Sequence, residues 1–192
     1  MKYSNISKNG SIILEIDKKY SKKELLTKFE EFIYSSNFIL KQNINIKTLP
    51  YEIIIKNETQ EFKLFFILKN ITGAGWENKP KIKRIQVKNT EQFNHNCELN
   101  TTNNQQIFVL FGYYNFEENP LLVAWNPYNY NHHKTIRSCY VSIDLLHECY
   151  DKGYICTVDS GNRIWLFDPF HFKKFLIDYI EYQSEQYHEK RF

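Results

Sequence analysis

Residues 107–127, IFVLFGYYNFEENPLLVAWNP, constrain the fold more than any other stretch of the chain. Two aromatic and aliphatic runs flank the polar FEEN, the pattern of a β-hairpin. A chain that carries such a hairpin is expected to be built around strands. Upstream, FILKQNINIK, YEIIIK, EFKLFFILK and KIKRIQV read as further strands, separated by Pro50, the polar NETQ and a glycine elbow. Downstream come a short strand at Cys139 to Val141 and the pair YICTV and RIWLF around the turn DSGN. SIILEI near the start is a further short strand.

Three segments change to helical periodicity. Ser21 and Glu24 fit a capping box, and Leu25, Leu26, Phe29, Phe32 and Ile33 form one apolar stripe that ends near Asn37. A second helix is expected from Ser142 to Asp151, with Gly153 at its C-cap. A third follows Asp168, with Pro169 at its first position, and turns polar by QSEQYHEKRF. NTEQFNHNCELNTTNNQQ reads as a long surface connection. The expected fold class is α+β, mostly β, with a barrel-like or sandwich core. One domain is expected over residues 1–192: strand and helix over 1–37, the core over 38–168, and over 169–192 a helix leading to a linker.

Charge narrows the function only through its placement. With 25 basic and 22 acidic residues the formal net charge is +3, too ordinary to imply a polyanion partner by itself. No run of 18 apolar residues exists and the N-terminus lacks the pattern of a signal peptide, so a soluble, cytoplasmic protein without membrane contact is expected. Cys97, Cys139, Cys149 and Cys156 show no C-x-x-C spacing and read as reduced thiols.

The most informative local feature is GAGWENKPKIKRIQV, residues 73–87, in which a glycine elbow leads into a basic strand. As a phosphate loop it lacks the further glycine or Gly-Lys-Ser/Thr that such loops need, and Pro80 precedes a strand instead of a helix. As an edge strand, its cations discourage edge-to-edge aggregation. As a nucleic-acid arm, it places Arg84, Gln86 and Lys88 on one face and Lys83, Ile85 and Val87 on the other. Arg can hold guanine O6 and N7, and Gln can hold adenine N6 and N7. Lys69, Lys79, Lys81 and Lys83 would meet flanking phosphates. Trp76, beside two glycines, is a candidate stacking platform, and Asn70 and Asn78 complete this arm.

A second segment, NPYNYNHHKTIRSCY, has no acidic residue between Asn126 and Tyr140. Its candidate contacts are Asn126, Tyr128, Asn129, Tyr130, His132, His133, Lys134 and Arg137. Two such arms make a clamp for duplex DNA if the fold projects both from one concavity.

WENKPKIKRIQV, together with VLFGYYNFEENPLLVAWNPYNYNHHKTIRSCYVSIDLL, resembles the N-terminal DNA-recognition domains of LlaJI-type restriction systems, relatives of the McrBC enzymes. It is also similar to domains that accompany DNA methyltransferases. The resemblance covers roughly residues 62–168. It implies the DNA-binding pseudobarrel, an open β-barrel shared with the effector domains of the EcoRII and BfiI restriction enzymes and a class of plant transcription factors. Such domains grip duplex DNA with two arms in the major groove. Here the N-arm would lie near residues 69–86 and the C-arm over Asn126 to Tyr140. The resemblance also implies a targeting domain without chemistry or cofactor, partnered by double-stranded DNA and by a fused or associated AAA+ motor and nuclease subunit. The first helix and first strands lie outside it.

Other classes stay open. Glu52, Glu61 and Lys63 in PYEIIIKNETQEFK have the residue types of a Mg-dependent PD-(D/E)xK nuclease, although an exposed hairpin explains them as well. His147, Cys149 and Cys156 supply three zinc-type ligands without a fourth. FEEN and the charged last helix would serve a protein-interaction module.

Overall fold

The structure is a computed structural model; it describes residues 2–42, 44, 49–88, 106–130, 136–159 and 161–189. The hairpin of residues 107–127 forms its spine. Strands β8 (Gln106–Phe116) and β9 (Asn119–Trp125) pair antiparallel from Phe116 opposite Asn119 to Leu110 opposite Trp125. The connecting pair, Glu117 and Glu118, has φ of 51° and 59°, which is the primed turn that matches strand twist. Glutamates hold a conformation that Asn-Gly would adopt more readily, so the strand pairing on both sides enforces it.

A seven-stranded sheet grows from this spine in the order β11-β12-β9-β8-β5-β4-β3. Its members are β3 (Ile39–Leu40), β4 (Tyr51–Lys56), β5 (Glu61–Asn70), β11 (Tyr154–Asp159) and β12 (Asn162–Phe167), besides β8 and β9. β5 and β8 run parallel, Lys63 opposite Gln106 through Asn70 opposite Tyr113. Parallel neighbours need a crossover. The chain between them contains β6 (Thr72–Gly73) and β7 (Ile82–Lys88), which leave the large sheet to form a second, three-stranded one with β10 (Ile136–Ser142).

Side-chain alternation assigns each face of the large sheet to its own core. Phe62, Leu64, Phe66 and Leu68 of β5, with Ile107, Val109 and Phe111 of β8, meet α1 (Lys22–Ser35) and α3 (Phe172–Glu189). This core is largely aromatic: the Phe111 ring touches Phe29, Phe66, Phe167 and Phe175. The opposite face carries Phe65, Ile67, Phe108, Leu110, Val123 and Trp125 against Ile85, Val87, Cys139 and Val141 of the small sheet and Leu146 of α2 (Ile143–Lys152). Trp125 and Trp165 are buried, as their apolar settings predict.

The three predicted helices are present. Ser21 and Glu24 form the capping box, Ser142 caps α2, and Gly153 ends it with φ of 74°. The class is α+β, mostly β, and among the described residues the sheets stay open without closing a barrel. Two strand expectations change. FILKQNINIK contributes only Ile39–Leu40 as a strand, with residues 43 and 45–48 outside the described set. SIILEI is joined by a strand the sequence pattern hides: β1 (Tyr3–Ile6) pairs with β2 (Ile12–Glu15) as a separate hairpin. No described helix is long and apolar enough to cross a membrane.

Candidate nucleic-acid interface

The two acid-poor segments meet in one sheet. β7 pairs antiparallel with β10 from Ile82 opposite Ser142 to Lys88 opposite Ile136, and β6 pairs with the other edge of β7. Directly opposed residues share a face. Arg84, Tyr140 and Thr72 therefore stand on one face, joined by Gln86 and Ser138, while Lys83, Ile85, Val87, Cys139, Val141 and Arg137 stand on the other. Ile85, Val87, Cys139 and Val141 are core residues, which turns the Arg84 face outward. Because the strands are antiparallel, the elbow at 74–81 enters the ladder at Ile82 opposite Ser142, and the start of β10, Ile136 opposite Lys88, is the other end. Seven residues at ~3.3 Å each separate them by about 20 Å.

The elbow leans on this outer face. Gly75 takes φ of 82°, a conformation that a β-carbon disfavours. Ala74 N–H donates to the Ile82 carbonyl at 3.0 Å and closes the turn. Trp76 stacks on Tyr140 with ring centroids 5.0 Å apart and planes 29° apart, leaving the indole 40% exposed. Lys79 Nζ lies 5.5 Å above the same indole. A cation, an indole and a phenol thus line the approach to Arg84, which among the described residues has no carboxylate partner. Asn78 and Gln86 are exposed. Lys81 is exposed and its Nζ sits 3.3 Å from Asp144, a solvated pair at the start of α2.

The inner face carries the largest correction. Lys83, expected at a phosphate, has no exposed surface: its ammonium is ion-paired with Asp17 and donates to Asn5 Oδ1 at 2.9 Å. Burial pushes the Lys83 ammonium below its ordinary range, opposed by the hydrogen bond and charge of Asp17. The second Asp17 oxygen accepts the Gly73 N–H at 2.5 Å, and the Tyr114 hydroxyl accepts the Ile6 N–H at 3.0 Å. Gly73 has no room for a side chain, since a β-carbon there would lie 2.0 Å from the Tyr3 ring. The N-terminal hairpin, β6 and β7 are therefore locked together beneath the outer face, and Lys83 is an anchor rather than a contact.

Other candidates are also redirected. Both ends of the Asn70 amide bond the Tyr20 backbone, at 2.9 and 3.1 Å, so Asn70 fastens the entry to α1. Asn126 is 2% exposed and its amide donates to the Tyr182 hydroxyl at 3.5 Å. Arg137 stands opposite Val87 on the inner face, and its guanidinium donates to the Asn129 carbonyl at 3.3 Å. It belongs to the turn before β10 rather than to the Arg84 face. Lys69 is half-buried on β5 beside Gly112, in the large sheet. Tyr128, Asn129 and Tyr130 form a 3-10 turn. His132, His133 and Lys134 lie outside the described residues.

The outer face also carries Thr72, Ser138 and Tyr140, which lie within the two arms but are not among the candidate contacts. The signal was present in the alternation of Arg137-Ser138-Cys139-Tyr140-Val141: apolar Cys139 and Val141 mark the inner parity, so Ser138 and Tyr140 face outward while Arg137 shares the inner side.

The rival constellations acquire structural partners. Lys63 pairs with Glu52 across β4 and β5, and Lys41, just after β3, pairs with Glu61, each at 2.6 Å and partly exposed. Cys149 is buried, its thiol pushed up by burial, and Cys156 is exposed. Among the described residues no group of three His, Cys, Asp or Glu side chains has the placement of a metal site.

A family model described as methylase-associated X1 matches residues 62–176, from the start of β5 into α3. The match includes the whole β6-β7-β10 sheet but excludes the N-terminal segment that supplies Asn5 and Asp17. No curated protein and no solved structure matches the chain.

Proposed function

This chain belongs to the methylase-associated X1 family, which links it to restriction-modification, and on that premise we propose that it binds double-stranded DNA and targets such a system to its site. The observation that carries the proposal is the shared outer face of β7 and β10. It puts Arg84, Gln86, Ser138 and Tyr140 together, with Lys79 and Lys81 at one end. A guanidinium and an amide at alternate positions on the outer face of β7 suit the donor and acceptor pattern of major-groove base edges. The elbow lysines suit phosphates, which fix register without reading sequence.

In this reading the resemblance to LlaJI-type recognition domains and to the pseudobarrel describes how the face meets DNA. The three-stranded sheet lies toward the groove, with the elbow at one end of it. The chain acts as a reader, and cleavage or translocation belongs to an associated AAA+ motor and nuclease subunit. The anchor under β7 supports the reading, because a rigid strand holds two side chains in register better than a loop does.

Selection of bound duplexes from a randomised pool, with and without methylation, followed by titration of Arg84→Ala, tests the proposal. Arg84→Ala should cost roughly 1–3 kcal/mol on the selected duplex and relax one base preference. The parent protein should show a log-log salt slope near −0.9 per phosphate contacted. Equal affinity of parent and variant for selected and random duplexes would remove the face from DNA recognition.

A further inference from the structure

We propose that β2 is the contact by which two copies of this chain pair, edge to edge across a two-fold axis. β2 is bonded to β1 on one side, and among the described residues no strand pairs with its other edge. The Ser7 N–H donates to the Ser11 carbonyl at 3.0 Å, which makes odd-numbered positions of β2 the ones bonded to β1. The N–H and C=O groups of Ile12 and Leu14 therefore point to the open edge. The side chains on the same parity are aliphatic and uncovered: Ile12 is 48% exposed, Leu14 60% and Ile16 72%. Soluble proteins interrupt such edges with Lys, Pro or a bulge, and none of these occurs between Ile12 and Ile16. β1, by contrast, is buried at Ser4, Asn5 and Ile6.

The sequence of this edge is complementary to itself. An antiparallel pair centred on Leu14 places Leu14 opposite Leu14 of the second copy and Ile12 opposite Ile16 of the second copy. All six exposed aliphatic side chains then form one patch on one face, while the outward N–H and C=O groups of Leu14 bond reciprocally across the axis. Within the strand Ile13 then meets Glu15 of the second copy, so no like charges stand directly opposed. Glu15 approaches its own copy only on the diagonal. A centre between Ile13 and Leu14 would oppose outward-bonding Ile12 to Glu15, whose N–H and C=O point toward β1, which an antiparallel ladder does not allow. One strand pair covers less than the ~1,200–2,000 Å² of a stable complex, so the dimer is expected to dissociate on dilution.

The inference does not depend on DNA binding, and its test does not involve DNA. Sedimentation velocity of the full chain from low to high micromolar concentration should show a monomer passing into a dimer. Leu14→Lys, at an exposed position, should stay monomeric at every concentration with an unchanged thermal midpoint, and Glu15→Gln should tighten the dimer severalfold. With Cys97 and Cys156 replaced by Ser, Leu14→Cys should form an intermolecular disulfide, whereas Ile12→Cys, facing Ile16 of the second copy, should not. A chain monomeric throughout, or a dimer that Leu14→Lys leaves intact, overturns the proposal. Cross-linking of Ile12→Cys as fast as Leu14→Cys overturns the Leu14-centred register.

Discussion

β7 has two faces, and each carries basic residues put to opposite uses. Arg84, on the outer face, lies beside Tyr140 and Thr72 without a carboxylate partner among the described residues. Lys83, one residue earlier, is enclosed with Asp17, Asn5 and two tyrosine rings. Strand parity decides the difference, because the same local charge density becomes an outward-facing group or an internal anchor according to the side of the sheet. The inner face ties β7 to the N-terminal segment through Asp17 and Asn5, and the outer face leaves Arg84 and Gln86 outside that network.

The comparison is broken most severely through Asp17. Removing its carboxylate in Asp17→Ala leaves a buried ammonium uncompensated, and urea denaturation followed by tryptophan fluorescence should show a loss of about 3–5 kcal/mol near neutral pH. The penalty should shrink as pH rises. Burial already holds the Lys83 pKa below 10.5, and a Lys that is easier to deprotonate in the folded than in the unfolded state costs less as pH climbs through that window. The double variant Asp17→Asn with Lys83→Met should recover part of the loss, since no buried charge is left unpaired and the amide oxygen can still accept from Gly73 N–H. A small effect of Asp17→Ala would mean that Lys83 is not an anchor.

The next test compares two arginines. Arg84→Ala should cost roughly 1–3 kcal/mol on a selected duplex and change base preference at one position. Arg137→Ala should leave base preference unchanged in the same titration, because its guanidinium holds the Asn129 carbonyl on the inner side. Altered base preference in Arg137→Ala would assign it to the reading face after all.

The fold was legible where one pattern acted alone. The capping box at Ser21, the glycine stop at Gly153 and the hairpin at FEEN each follow from local chemistry, and each is present. The site was half legible. Alternation separates Arg84 and Gln86 from Ile85 and Val87, but a lysine's charge alone points to the surface although Lys83 shares the inner parity of Ile85 and Val87. No local rule names Asp17, 66 residues away in sequence, as its partner. Asn70 and Asn126 were lost for the same reason: the Tyr20 backbone and the Tyr182 hydroxyl come from distant helix entries and helix ends. The weak strand β1 is hard to read because Tyr-Ser-Asn-Ile has little apolar alternation: its Asn5 is buried in a polar network and only Ile6 enters the apolar core.

The smallest expected effect concerns Lys81 and Asp144. Both are more than half exposed and 3.3 Å apart, so as a surface ion pair they should contribute only ~0–1 kcal/mol to stability, and Asp144→Asn should barely shift the urea midpoint. Its effect on DNA should be easier to detect. If Lys81 meets a phosphate, Asp144 competes for the same ammonium and repels the backbone, so Asp144→Asn should raise affinity modestly for every duplex alike. Added salt should erase the gain, since exposed charges are screened within about 10 Å at 0.1 M. A gain confined to the selected duplex would place Asp144 near a base edge and extend the reading face onto the first turn of α2. A loss of affinity would instead mean that the pair positions the elbow, making the Lys81 end of the sheet part of the anchor and leaving Arg84 and Gln86 to contact DNA alone.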